Sequence, residues 1–247
     1  MDDLPGKARR ALERAHESLS YVVRLVRAPD GRLVAILGEA HLKLAKASAI
    51  GKDVVAAFEL RGVETLQRKQ LTWGRALGVV INAPRALLRA LAFGAIKGST
   101  ITDAKQLPSG HTVELERAKK MPLGLHVASV YMTSYFVVSL LALLAALLAP
   151  IAPALPVVIL PVAWAFQVHM IALVPGFFVR RYSWSWIVHP FFGILTLRDG
   201  LMSEGTVRML EDHPSMREAV VVMGRAHVSG YEALLVERHG YTPVPFP

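Results

Sequence analysis

The sequence predicts an α/β core assembled from the N- and C-terminal halves of the chain and interrupted by a two-helix transmembrane hairpin. Three observations lead there. Residues 121–179 contain no Asp, Glu, Lys or Arg, a charge-free stretch of 59 positions. The flanking segments alternate short apolar runs with helix-like stretches, the grammar of an α/β protein. The pattern Gly-x-Ala-His follows an apolar run in each flank, as Gly38-Glu39-Ala40-His41 and again as Gly224-Arg225-Ala226-His227. The implied division is 1–120 for the first half of the α/β domain with amphipathic helices, 121–179 for the hairpin and 180–247 for the second half.

In chain order, helix-like spacing covers 8–19, and the first 22 residues carry acidic groups and no early apolar run, unlike a cleavable secretory signal. Runs 21–26 and 32–37 read as strands joined by a turn at Pro29-Asp30-Gly31. A helix to Ile50 follows the first Gly-x-Ala-His, then a strand over 54–60 and a helix starting near Gly62. Segment 77–96 is apolar but holds Pro84, Arg85 and Arg89, which suits a helix lying on a membrane rather than crossing it. The C-terminal half repeats the pattern: helix 196–211, a stop at His213-Pro214, strand 219–223 and a helix toward His239.

The charge-free stretch is long enough for two crossings, since one needs about 20 apolar residues. Spans 126–149 and 157–179 fit, separated by the helix-breaking Pro150, Pro153 and Pro156, with Pro161 and Pro175 as kinks in the second. A buried soluble hairpin of this size would demand more core than the rest of the chain supplies. Arg117, Lys119 and Lys120 before it, and Arg180 and Arg181 after it, place both termini in the cytoplasm. Tyr182, Trp184, Trp186, Phe191 and Phe192 match an interfacial aromatic belt. Gln167 and His169 are polar exceptions, read first as hydrogen-bonded packing contacts.

Net charge is +9, and the excess precedes the apolar centre: residues 1–120 hold 21 Lys/Arg against 12 Asp/Glu, while 180–247 hold 7 against 7. Beside a membrane segment this favours the lipid bilayer, anionic lipid in particular, as partner. No nucleic-acid motif accompanies the charge, and nucleic acid is not expected as a partner. Without cysteine, disulfides and thiolate chemistry are excluded.

In open α/β sheets the carboxyl ends of the strands face the ligand crevice, so His41 and His227, each three residues beyond a glycine at such an end, can converge. Glu59 and Arg61 alternate with apolar neighbours at a predicted strand end, where a carboxylate needs a cation or a metal; a structural Glu59–Arg61 pair is the plainer alternative. Arg198 and Asp199 open a helix-like run and serve either as a cap or as a second contribution to the same crevice.

Taken in order, Gly38-Glu39-Ala40-His41, Glu59-Leu60-x-x-Val63, Arg198-Asp199-x-x-Met202 and Gly224-Arg225-Ala226-His227 with Val228 and Gly230 resemble the TraB/PrgY and Tiki superfamily. That group is related in fold to erythromycin esterases and ChaN haem-binding lipoproteins. The resemblance covers about 20–70 and 195–245. It implies one site in which His41, Glu59 and His227 are metal ligands or acid/base groups, with Glu39, Arg61, Arg198 and Asp199 orienting them or holding substrate. Such a set suits a divalent metal, Mn, Co or Zn, that activates water for hydrolysis of a peptide or another amide or ester. Glu39 would shuttle the proton, and Arg61 or Arg198 would stabilise an oxyanion. This chain departs from the family in carrying its hairpin between the motifs. Ser229 lies outside any Gly-x-Ser-x-Gly elbow, which argues against a serine hydrolase. Two other readings remain: a non-catalytic binder of a peptide signal or haem, and a membrane-shaping scaffold. The sequence also leaves room for a homo-oligomer.

Overall fold

The computed structural model describes residues 4–40, 43–92, 96–97, 99–171 and 185–246. In chain order the elements are α1 (Gly6–His16), β1 (Tyr21–Arg27), β2 (Leu33–Glu39), β3 (Lys43–Leu44), α2 (Ala45–Ala56), β4 (Leu60–Val63), α3 (Gly74–Leu91), β5 (Ile96–Lys97), α4 (Thr100–Gln106), β6 (His111–Glu114), α5 (Leu123–Leu148), α6 (Ala154–Ile171), α7 (Ser185–Val188), α8 (Pro190–Phe192), α9 (Arg198–Asp212), β7 (Glu218–Gly224), α10 (Val228–His239) and β8 (Thr242–Val244). They fall into two compact units. The first comprises Met1–Leu66, Arg85–Ala118 and Arg198–Pro247; the second comprises Gln67–Pro84 and Lys119–Leu197.

The first unit is built on a six-stranded mixed sheet in the order β6-β4-β7-β2-β1-β8. Strands β2, β7, β4 and β6 run parallel, and β1 and β8 add an antiparallel edge. Strand β7 comes from the far end of the chain yet lies between β2 and β4, so both halves of the polypeptide build one sheet.

Residue parity explains the layering, because successive side chains of a strand point to opposite faces. Ala35, Leu37, Val220 and Val222 pack on one face with Leu12 of α1 and with Val54 and Val55 of α2. Val34, Ile36, Ala219, Val221 and Met223 pack on the other with Met202 and Met209 of α9 and Tyr231 and Leu235 of α10. Both faces of β2 and β7 are covered, and every residue is correspondingly apolar from Leu33 to Leu37 and from Ala219 to Met223.

The expected strand over 54–60 is corrected. Ala47, Gly51, Val54 and Val55 are buried at spacings of three and four, and helix α2 runs through to Ala56. A short apolar run fits either element by composition, and here the helical period wins. The strand is Leu60–Val63 instead, and no helix opens at Gly62.

In the second unit, α5 has 26 residues, about 39 Å of helix at 1.5 Å per residue. It is the one helix among the described residues that is long and apolar enough to cross a membrane, with residues 154–170 of α6 forming a shorter apolar helix. Leu140, Leu143 and Leu147 of α5 are exposed, as a lipid-facing surface would have them. The two helices pack together: Tyr135 Oη donates to Gln167 Oε1 at 3.2 Å, and Tyr131 Oη pairs with His169 Nδ1 at 2.9 Å. Gln167 and His169 are thus engaged in helix–helix hydrogen bonds, and Pro161 lies inside α6.

Phe192, placed by sequence in an aromatic belt, is buried against His189 and Phe191. Part of the expected second span, with Pro175, Arg180, Arg181, Tyr182 and Trp184, lies outside the described residues. Helix α3 continues through position 84, with Val79, Leu87 and Leu91 exposed.

Candidate functional site

The parallel register sets the site. Glu39 stands opposite Gly224, and Val63 stands opposite Val222. Glu64 N–H donates to Val222 O at 2.9 Å, so the ends of β2, β7 and β4 leave the sheet at one edge. The two Gly-x-Ala-His motifs therefore start on neighbouring strands, offset by one residue. Gly38 is required there by close packing: a Cβ would collide with the Val228 side chain and come within 3.3 Å of Arg225 Cα. His41 lies outside the described residues.

After β7, a single tight turn at Arg225–His227 brings His227 back into the protein, where it is buried. Its Nδ1 lies 2.6 Å from Asp199 Oδ1, and Asp199 is buried as well. A carboxylate only accepts, so Nδ1–H donates, and in its neutral form the ring has its lone pair on Nε2. That nitrogen sits 3.8 Å from Glu64 Oε1.

Glu64 is the strand-end carboxylate of the site. Its Oε2 accepts the Gly224 N–H, which ties the end of β4 to the end of β7. Arg198 Nη2 donates to Glu64 Oε1 at 2.6 Å and to Glu116 Oε2 at 2.9 Å, while Arg198 Nε donates to Glu116 Oε1. Burial alone would depress the Arg198 guanidinium, but Glu116 and Glu64 outweigh it and hold the group well above its ordinary value. Glu116 arrives because β6 continues the parallel sheet, with Leu115 N–H donating to Val63 O at 3.1 Å. Gly205 lets α9 lie against this segment, since a Cβ there would strike the Leu115 carbonyl.

The other sequence candidates are distributed differently. Glu39 is buried at the same edge, accepts from Thr100 N at 2.8 Å and from Ser99 Oγ, and so caps the start of α4. Glu59 is corrected in position. With the strand running over 60–63 it lies at the opposite, amino edge of the sheet, exposed to solvent. There it lies near Glu218, whose carboxyl is pushed up by burial and then by Glu59.

Arg61 is also away from His227. It donates from Nε to Val55 O at 2.6 Å and from Nη1 to Ser109 O at 2.7 Å, fastening the end of α2 to the turn before β6. The sequence reading missed Glu64 and Glu116. Glu64 had a signal, being the first residue past Val63 in a stretch already singled out, whereas Glu116 follows a half-exposed strand with no apolar run.

A divalent metal fits this donor set in part. An imidazole nitrogen oriented by a carboxylate on its other nitrogen is the usual support of a metal-bound histidine. Two ligands about 2 Å from a tetrahedral ion lie roughly 3.4 Å apart, and the His227 Nε2 to Glu64 Oε1 separation is 3.8 Å. Among the described residues no group of three or more His, Asp or Glu side chains is placed to hold a metal ion. Comparison with known protein families, with curated proteins and with solved structures gave no match to this chain.

Proposed function

We propose that this protein is a membrane-anchored, metal-dependent hydrolase of the TraB/Tiki type, acting on a peptide or another amide or ester. The observation that carries this reading is the pair of Gly-x-Ala-His motifs that start at the ends of neighbouring parallel strands, one of them presenting His227 Nε2 beside Glu64 while Asp199 holds the ring. His227, Glu64 and His41 would hold the ion, with Glu64 taking the place first assigned to Glu59. When bound, the metal would supply an activated water. Asp199 fixes the His227 tautomer and strengthens Nε2 as a donor. Arg198 holds Glu64 in place, and its Nη1, outside the three bonds to carboxylates, is available to a developing oxyanion.

Two crossings with both termini on the cytoplasmic side are part of the proposal. Strands from before and after the apolar stretch share one sheet, so a crossing by α5 requires a return crossing. Arg117, Lys119 and Lys120 ahead of α5 put that sheet in the cytoplasm.

A second reading, capture of a peptide or haem without turnover, is favoured by the engagement of Glu64 with both Arg198 and Gly224. The two separate on assay of the full chain, in detergent with Mn, Co or Zn, against a peptide library. Metal-dependent cleavage that disappears in His227→Ala and in Glu64→Gln supports the hydrolase. Binding without product in the wild type, unchanged by metal, replaces it with the capture reading.

A further inference from the structure

The second unit carries a groove that the hydrolytic chemistry does not use. It has a volume of about 510 Å³ and is walled by Val127, Val130 and Ser134 of α5 and Phe166 of α6, with Thr72 and His126 at one end. The wall is almost wholly apolar, as a ligand pocket with few polar groups should be.

Depth along α5 assigns the two ends. A helix of 26 residues is about 39 Å long and the hydrocarbon core is about 30 Å. Centred in a bilayer, it leaves roughly three residues beyond the core at each end. His126, the fourth residue, then sits at the hydrocarbon boundary, and Ser134 lies about 12 Å deeper. The groove runs from the level of lipid esters into the level of acyl chains.

The polar end has a defined sense. Thr72 N–H donates to His126 Nδ1 at 3.2 Å, so Nδ1 carries the lone pair and the neutral ring has its proton on Nε2. His126 therefore offers a hydrogen-bond donor at the depth of an ester carbonyl. Lys119 and Lys120, exposed just ahead of α5, add positive charge on the headgroup side.

We propose that this groove binds one acyl chain of an anionic phospholipid, whose ester carbonyl accepts from His126 Nε2–H while its headgroup faces Lys119 and Lys120. The inference rests on α5 crossing the bilayer, the anchoring proposed above.

The test uses the full chain. Carbonate extraction of membranes reads the anchoring, and native mass spectrometry after purification with phosphatidylglycerol or phosphatidylcholine reads the groove. Expected are an extraction-resistant protein and one retained phosphatidylglycerol. Val130→Trp, which fills the groove, should weaken retention about tenfold. His126→Ala should weaken it too, with recovery in His126→Gln, which keeps both an acceptor for Thr72 and a donor. Lys119→Gln with Lys120→Gln should abolish the preference for phosphatidylglycerol. An extraction-resistant protein that holds no lipid, holds a free fatty acid instead, or holds phospholipid equally well in Val130→Trp and His126→Ala overturns the groove alone. A wild type released by carbonate overturns the anchoring together with it.

Discussion

Asp199 and His227, 28 residues apart in the chain on a helix and a turn, are both buried and stand 2.6 Å apart. A short contact of this kind between a carboxylate and an imidazole orients the ring and makes its far nitrogen a stronger donor to a metal or a proton. Asp199→Asn keeps the shape and the accepting oxygen but removes the charge. Metal affinity, measured by titration calorimetry on the full chain, is expected to fall by about 10- to 100-fold, with a thermal midpoint close to wild type. Equal affinity in both proteins would deny Asp199 this role.

Arg198 is the cation that lets Glu64 and Glu116 share the buried edge. Removing one partner of a buried ion pair leaves uncompensated charge and costs about 3–5 kcal/mol. Arg198→Met is therefore expected to lower the thermal midpoint sharply, whereas combining it with Glu64→Gln and Glu116→Gln should recover most of the loss. A single variant that melts like wild type would mean that the carboxylates do not depend on the guanidinium.

At the amino edge of the sheet the electrostatics run the other way. Burial, and then Glu59, raise the Glu218 carboxyl above its ordinary value of 4.5. Between that value and the raised one the folded state binds more protons than the unfolded chain, so stability falls as pH rises through the window and stays lower above it. Glu59→Gln removes the repulsion. It is expected to raise the thermal midpoint slightly at about pH 7 but not near pH 3, below both values, with hydrolysis unchanged. A loss of hydrolysis in Glu59→Gln would return Glu59 to the site.

Parts of the molecule could be read from the chain and parts could not. Gly224 and His227 were legible because a clean apolar run precedes them and a helical pattern follows, leaving one place for the turn. The α5 segment was legible because 59 positions without a charge have few soluble solutions. Glu59 was misplaced because Val54, Val55 and Phe58 suit a strand by composition, while Val54 and Val55 belong to helix α2 and Phe58 to the link after it. That shift of the strand by a few residues made Glu64, not Glu59, the carboxylate at its carboxyl end. Glu116 carried no local signal, since its role arises only when β6 is laid beside β4 and Arg198 returns from beyond the apolar stretch.

Metal content bears most directly on the proposed site. Full-length protein, its His41→Ala and His227→Ala variants, and Glu59→Ala as a control should be purified in parallel and analysed by inductively coupled plasma mass spectrometry. Expected is about one divalent ion per chain in the wild type and in Glu59→Ala, with little in either histidine variant. Folded histidine variants that both keep a full complement of metal, or a wild type that binds none when Mn, Co and Zn are offered, would contradict a shared site built by the two motifs.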